Sequence, residues 1–150
     1  MLNRKPRGFT LIELLVVVAI IGIIAVIGIP NLLNAIDRGK QKRTMADLRS
    51  MGTAVEAYSV DNNIYPTAAN ILAAQPVLEP VYIKKLPLSD GWNNAMVYQP
   101  GVVSGGGYTL ESYAKAGVND ADTGGKTNAF SADIVFVDGQ FTQWPEGIQQ

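Results

Sequence analysis

Gly8-Phe9-Thr10-Leu11-Ile12-Glu13, followed by an apolar run from Leu14 to Ile29, is the stretch whose reading decides the fold. From Phe9 to Ile29 only Glu13 is ionisable. As a helix this segment measures roughly 31 Å, the thickness of a bilayer core, so it is long enough to span one. A carboxylate at such depth costs about 2.5 kcal/mol or more, which makes Glu13 a functional residue in search of a partner. Near the interface it would stay hydrated and need none.

The residues before the run carry Arg4, Lys5 and Arg7 and end in Gly8, a small residue that a peptidase can hold extended. A secretory signal instead places its cleavage site after the apolar region. Arg7-Gly8-Phe9-Thr10-Leu11-Ile12-Glu13-Leu14-Leu15-Val16 resembles the class III signal of type IV pilins and type II secretion pseudopilins. The resemblance implies cleavage between Gly8 and Phe9 by a prepilin peptidase on the cytoplasmic side, then N-methylation of Phe9. It also implies a partner for Glu13, the Phe9 amine of a neighbouring subunit. An ammonium and a carboxylate attract strongly in a low dielectric, where each alone is penalised. Arg38, Lys40, Lys42 and Arg43 follow the run and nearly balance the leader's cations, so charge does not orient the span. The resemblance does, with the head on the far side of the membrane from the leader.

Composition bounds the remainder. The 150 residues leave room for one soluble domain of about 100 residues beyond the span. From Ser50 onward four Lys/Arg face ten Asp/Glu, so the head is acidic and unsuited to a nucleic-acid groove. The basic stretch from Arg38 to Arg49 reads as a solvated helix face or a lipid-headgroup contact. With no cysteine and no histidine, disulfides, Ser-His-Asp or Cys-His nucleophiles and the usual zinc sites are excluded.

Pro30 is expected to bend the helix rather than end it, because Leu48, Met51, Val55 and Tyr58 resume a helical apolar face. One helix of roughly 80 Å, if unbroken, would then stop near Asp61-Asn62-Asn63. Gly22, Gly28, Gly39 and Gly52 lower its propensity; the first two could admit close helix approach, and all four could equally be tolerated packing detail. Beyond it, Ile71 to Ala74 reads as a short helix, Val81 to Leu86 with the Pro- and Gly-punctuated stretch after it as loop and short strand, and Met96 to Gln99 and Tyr108 to Tyr113 as strands. Ile134 to Val137, Asp138-Gly139 and Gln140 to Trp144 read as a hairpin. The expected class is α+β: leader 1–8, membrane and polymerisation helix 9–30, amphipathic helix half 31–62, and head 63–150 with a small antiparallel sheet.

Three head stretches are similar to the major, G-type pseudopilin of type II secretion. Tyr58 with Asp61-Asn62-Asn63-Ile64-Tyr65-Pro66-Thr67 matches its helix exit, and Tyr82-Ile83-Lys84-Lys85-Leu86-Pro87 through Asp90-Gly91-Trp92-Asn93-Asn94 matches the following loop. Gly91 stands where that pattern has proline and Asn93 where it has glycine; Trp92 reads as a core anchor of the turn. Ala116 to Gly125 with Asp133 resembles its calcium loop, which makes Asp120, Asp122 and Asp133 the candidate ligands of a hard, oxygen-seeking cation. Asn119 takes the place of a first aspartate, and Ala132 lacks an extra acid. Gly125-Lys126-Thr127 lacks the glycine spacing and the strand-to-helix context of a phosphate loop and reads as a turn, and Gly105-Gly106-Gly107 reads as flexible backbone.

The expected function is structural rather than enzymatic. The resemblance implies a subunit held in the bacterial inner membrane with its head in the periplasm, polymerising into a filament that drives exoproteins through an outer-membrane secretin. Its implied partners are further copies, the prepilin peptidase, minor pseudopilins, an inner-membrane platform protein, an assembly ATPase and the lipid bilayer, with no nucleic acid and calcium as the one candidate cofactor. Two other readings are a type IV pilin of a surface fibre and an anchored calcium-binding module that never polymerises.

Overall fold

A computed structural model describes residues 8–103, 106–120 and 124–149. Helix α1 runs from Leu11 to Asn62 and passes through Pro30. Proline removes an N–H there and leaves the Val26 carbonyl without its helical donor. One residue further along, the Asn31 amide donates to the Ile27 carbonyl at 3.1 Å. At the far end Asn63 takes a left-handed φ of 57°, a conformation its short polar side chain tolerates and one that stops a helix. The expected stop at Asp61-Asn62-Asn63 is therefore where α1 ends.

The chain divides into two compact units, one up to Ala35 and one from Ile36 onward. In the first, the helix exposes its apolar side chains on every side: Leu11, Ile12, Leu15, Ile20, Ile24 and Ile27 are all exposed. The second unit is built on the remainder of α1. Leu48, Met51 and Val55 are fully buried there, and Tyr58 packs against them, as their spacing predicts. Helix α2 (Ile71–Leu78) starts with Asn70 accepting the Ala73 N–H at 2.9 Å. It continues past the expected Ala74 through Pro76 and adds Ile71, Ala74 and Leu78 to the core.

Five strands complete the second unit: β1 (Val97–Val103), β2 (Gly106–Ser112), β3 (Gly125–Thr127), β4 (Ile134–Val137) and β5 (Gln140–Pro145). Their order is β1-β2-β4-β5-β3. The β4–β5 hairpin turns on Asp138 and Gly139, both at positive φ, which matches the right-handed twist of the flanking strands. Tyr98, Tyr108, Leu110, Ile134 and Phe136 face the helices, and the sheet approaches α1 at Gly52, where a Cβ would lie 2.3 Å from the Phe136 ring. Gly52 is therefore a required point of close approach rather than a tolerated detail.

Four expectations need correction. The sheet is mixed, because β3 pairs with β5 in parallel while the other pairs are antiparallel. Gly125-Lys126-Thr127 forms this edge strand; three residues opening on glycine are too few to show alternation, and their pairing partner lies far along the chain. Val81 to Leu86 forms turns, with an isolated bridge between Ser89 and Ala95 beyond it. Gly107 is strand backbone at φ 87°, and a Cβ there would strike the Asp138 carboxylate, which accepts the Tyr108 N–H at 2.8 Å.

Candidate assembly helix and head loops

At the start of α1, Gly8, Phe9 and Thr10 lie outside the helix and are exposed, Phe9 to 81%. Thr10 is the N-cap. Glu13 returns its carboxylate to the Thr10 N–H and hydroxyl, both at 2.8 Å, while the Glu13 N–H donates to the Thr10 hydroxyl oxygen at 3.3 Å. This reciprocal capping box satisfies donors that an N-terminal helix turn leaves open, and an acid there also suits the helix dipole. Sequence analysis singled out Glu13 and missed its intrachain partner, although the Thr-x-x-Glu spacing was the signal. Within the single chain, Glu13 is therefore held by Thr10. The leader before Gly8 lies outside the described residues.

At the other end of the apolar surface, in the second unit, Asp37 is buried on α1. Its carboxylate accepts the Trp92 indole N–H at 3.0 Å and the Lys115 ammonium at 2.8 Å. Burial pushes this carboxyl up, but the bonds from Lys115 and Trp92 and the charges of Lys115 and Lys40 together hold it below its ordinary value. Trp92 is half-buried, so it is a hydrogen-bonded tie between the 89–95 turn and α1 rather than a core anchor. Sequence reading missed Asp37 because its partners lie far along the chain.

The turn itself is organised by Asp90. One carboxylate oxygen accepts the N–H groups of Trp92 and Asn94, each at 2.9 Å, and the other accepts the Ser112 hydroxyl at 2.8 Å. The two departures from the resembled pattern have physical readings here. Gly91 donates its N–H to the Thr44 hydroxyl at 2.9 Å, which a proline could not do, and a Cβ would meet the Lys40 carbonyl oxygen at 2.5 Å. Asn93 adopts φ 72°, the left-handed conformation that glycine or asparagine accepts.

Of the candidate calcium ligands, Asp120 and Asp133 come together: the Asp120 N–H donates to the buried Asp133 carboxylate at 2.7 Å. Next to it in the chain, Asn119 donates its amide to Glu111 at 3.2 Å, a buried acid on β2 that sequence reading did not single out. Asp122 lies outside the described residues. Among the described residues, no group of three or more His, Cys, Asp or Glu is placed to hold a metal ion.

An apolar N-terminal helix opening on a Phe-Thr-x-x-Glu start and carrying a small α+β head defines the class of pilin-like, membrane-anchored subunits. Residues 3–29 match the prokaryotic N-terminal methylation motif, and residues 31–135 match the family described as type II secretion system protein G. The chain belongs to that protein G family, which favours the secretion reading over the surface fibre. Its relatives include type II secretion system core protein G of Vibrio cholerae, 38% identical over 63% of this chain and 71% of the relative. That of Pseudomonas aeruginosa is 35% identical over 85% of this chain and the whole of the relative. That of Escherichia coli is 33% identical over 65% and 74%. No solved structure matches the chain.

Proposed function

We propose that this chain is the major subunit of a type II secretion pseudopilus, stored in the inner membrane by residues 9–30 and polymerised through the same helix. The observation that carries the reading is the apolar surface of α1: no residue of its most apolar membrane-length window is buried, so none of the described residues covers this surface. Lipid and then neighbouring helices supply the cover. The proposal includes cleavage between Gly8 and Phe9, methylation of Phe9, and transfer of the Glu13 carboxylate from its own Thr10 to the Phe9 amine of a neighbour. The exposed, non-helical backbone from Gly8 to Thr10 supports the first step, since a peptidase requires extended substrate. A periplasmic head, a structural rather than catalytic role, and partnership with minor pseudopilins, a platform protein and an assembly ATPase belong to the same reading. The test compares wild type with a clean deletion, scoring exported proteins in the medium and fibres on the cell surface together. Lost export with normal surface fibres is the expected result, and lost fibres with normal export would overturn it.

Calcium at Asp120, Asp122 and Asp133 is a second part of the proposal. Its support is the convergence of consecutive residues Asn119 and Asp120 on the carboxyl groups of Glu111 and Asp133. A bound cation would supply charge neutralisation among these acids. Calcium titration followed by the melting midpoint tests it, and an unchanged midpoint at millimolar calcium would sink the site.

A further inference from the structure

The edge strand β3 is held by residues from the last part of the chain. In the sheet β5 lies between β4 and β3, pairing Gln143, Trp144 and Pro145 with Gly125, Lys126 and Thr127. The match to the protein G family ends at residue 135, before β5 begins. The holding contacts are polar and mostly neutral. Gln143, buried on β5, accepts the Gly124 N–H at 3.0 Å and donates to the Asp133 carbonyl at 2.9 Å. Gln149, also buried, donates to the Thr127 carbonyl at 2.9 Å and accepts from the Gln41 amide on α1 at 3.3 Å. Between them the Glu146 N–H donates to the Thr127 carbonyl at 3.0 Å, and its carboxylate pairs with Lys126 at 2.7 Å.

The choice of amides has a chemical consequence. Gly124 presents a donor and Asp133 an acceptor, and a single carboxamide satisfies both, whereas a cation could take only the carbonyl. We propose that residues 140–149 form a clasp that fastens Gly124 to Thr127 and the Asp133 backbone to the sheet and to α1 without a divalent cation, so the head of this chain keeps its fold in calcium-free surroundings. Calcium at Asp120 and Asp133 would add to this clasp and is not required by it.

The test uses the full chain in detergent micelles. Both tryptophans, Trp92 and Trp144, lie in the second unit, so their fluorescence reports its melting. Wild type in chelator should melt within about 5 °C of wild type in millimolar calcium, while Gln143→Ala combined with Gln149→Ala should melt about 5 °C or more lower in chelator. Hydrogen exchange at Gly124 to Thr127 should accelerate at least about tenfold in the double variant, since it reports local opening. Should that variant fail to fold, Gln149→Ala alone is read for the same exchange. A larger loss in wild type on chelation, or variants with wild-type midpoint and protection, would overturn the clasp. A calcium shift absent from every form would end the calcium reading and leave the clasp supported.

Discussion

The two parts of α1 are made of the same secondary structure and stabilised by different partners. From Leu11 to Ile36 its apolar residues are exposed, while from Leu48 to Val55 they are buried under β-strands and α2. The first part resembles an unfinished core whose remaining wall is lipid or another copy, and the second is a finished one. The difference teaches that hydrophobicity alone does not distinguish anchor from core; what distinguishes them is whether the same chain supplies a facing surface.

Removing the one charge of the anchor is the sharpest way to break this comparison. Glu13→Ala should leave cleavage intact and reduce filaments at least about tenfold, because the apolar helix loses the carboxylate that, in the proposed assembly, pairs with a neighbour's Phe9 amine. Immunoblotting for processed subunit, with electron microscopy of sheared filaments, checks both halves. Wild-type filament yield would remove Glu13 from assembly. Its effect on the melting of the head should be nil, since its described partner is Thr10.

Matched leucine truncations come next. Leu48→Ala should cost about 2–5 kcal/mol of head stability by leaving a cavity among fully buried neighbours. Leu33, 55% exposed, should give no such loss on the same change, and any defect should fall on membrane partition or assembly. Equal destabilisation by the two, in chemical melts of detergent-solubilised protein, would mean that the anchor is packed like the core.

Asp37 stands where the finished core begins, and its effect is smaller. Asp37→Ala should cost about 2 kcal/mol, since it strands the Trp92 N–H and releases the ammonium of Lys115, which is itself half exposed. Because the folded carboxyl sits below its ordinary value, its stabilisation is present above the unfolded pKa, about 3.9, and is lost as pH falls through the folded one. Wild type should therefore lose stability in acid below about pH 4, and Asp37→Asn should flatten that limb. An unaltered acid limb in the variant would assign it to other carboxyls.

Legibility in the sequence followed the range of the interactions. The apolar start of α1, the helix stop at Asn62-Asn63 and the Asp138-Gly139 hairpin rest on neighbours a few residues apart, and each is found where its pattern put it. Strand β3, the Asp37 ties and the Gln143 bridge depend on partners brought together only by folding, so no local pattern marks them. The capping box is the instructive exception. Thr10 and Glu13 are local and their spacing is visible, but a lone acid in an apolar run also fits a partner outside the chain, and that pattern overlies the bond within its own turn.

The two helix N-caps separate the regions at the smallest scale. Asn70→Ala removes the acceptor of the Ala73 N–H in the finished core and should cost about 1 kcal/mol, lowering the melting midpoint of the head by several degrees. Thr10→Ala removes comparable bonds from α1 in the unit that has no core of its own, so the head midpoint should not move. Its effect should appear instead as faster amide exchange over the first turn of α1, because Glu13 would lose the hydroxyl at 2.8 Å while keeping the backbone N–H of residue 10. If Thr10→Ala lowered the head midpoint as much as Asn70→Ala, the cap of the anchor and the core would be one cooperative structure, and the contrast between the two parts of α1 would fail.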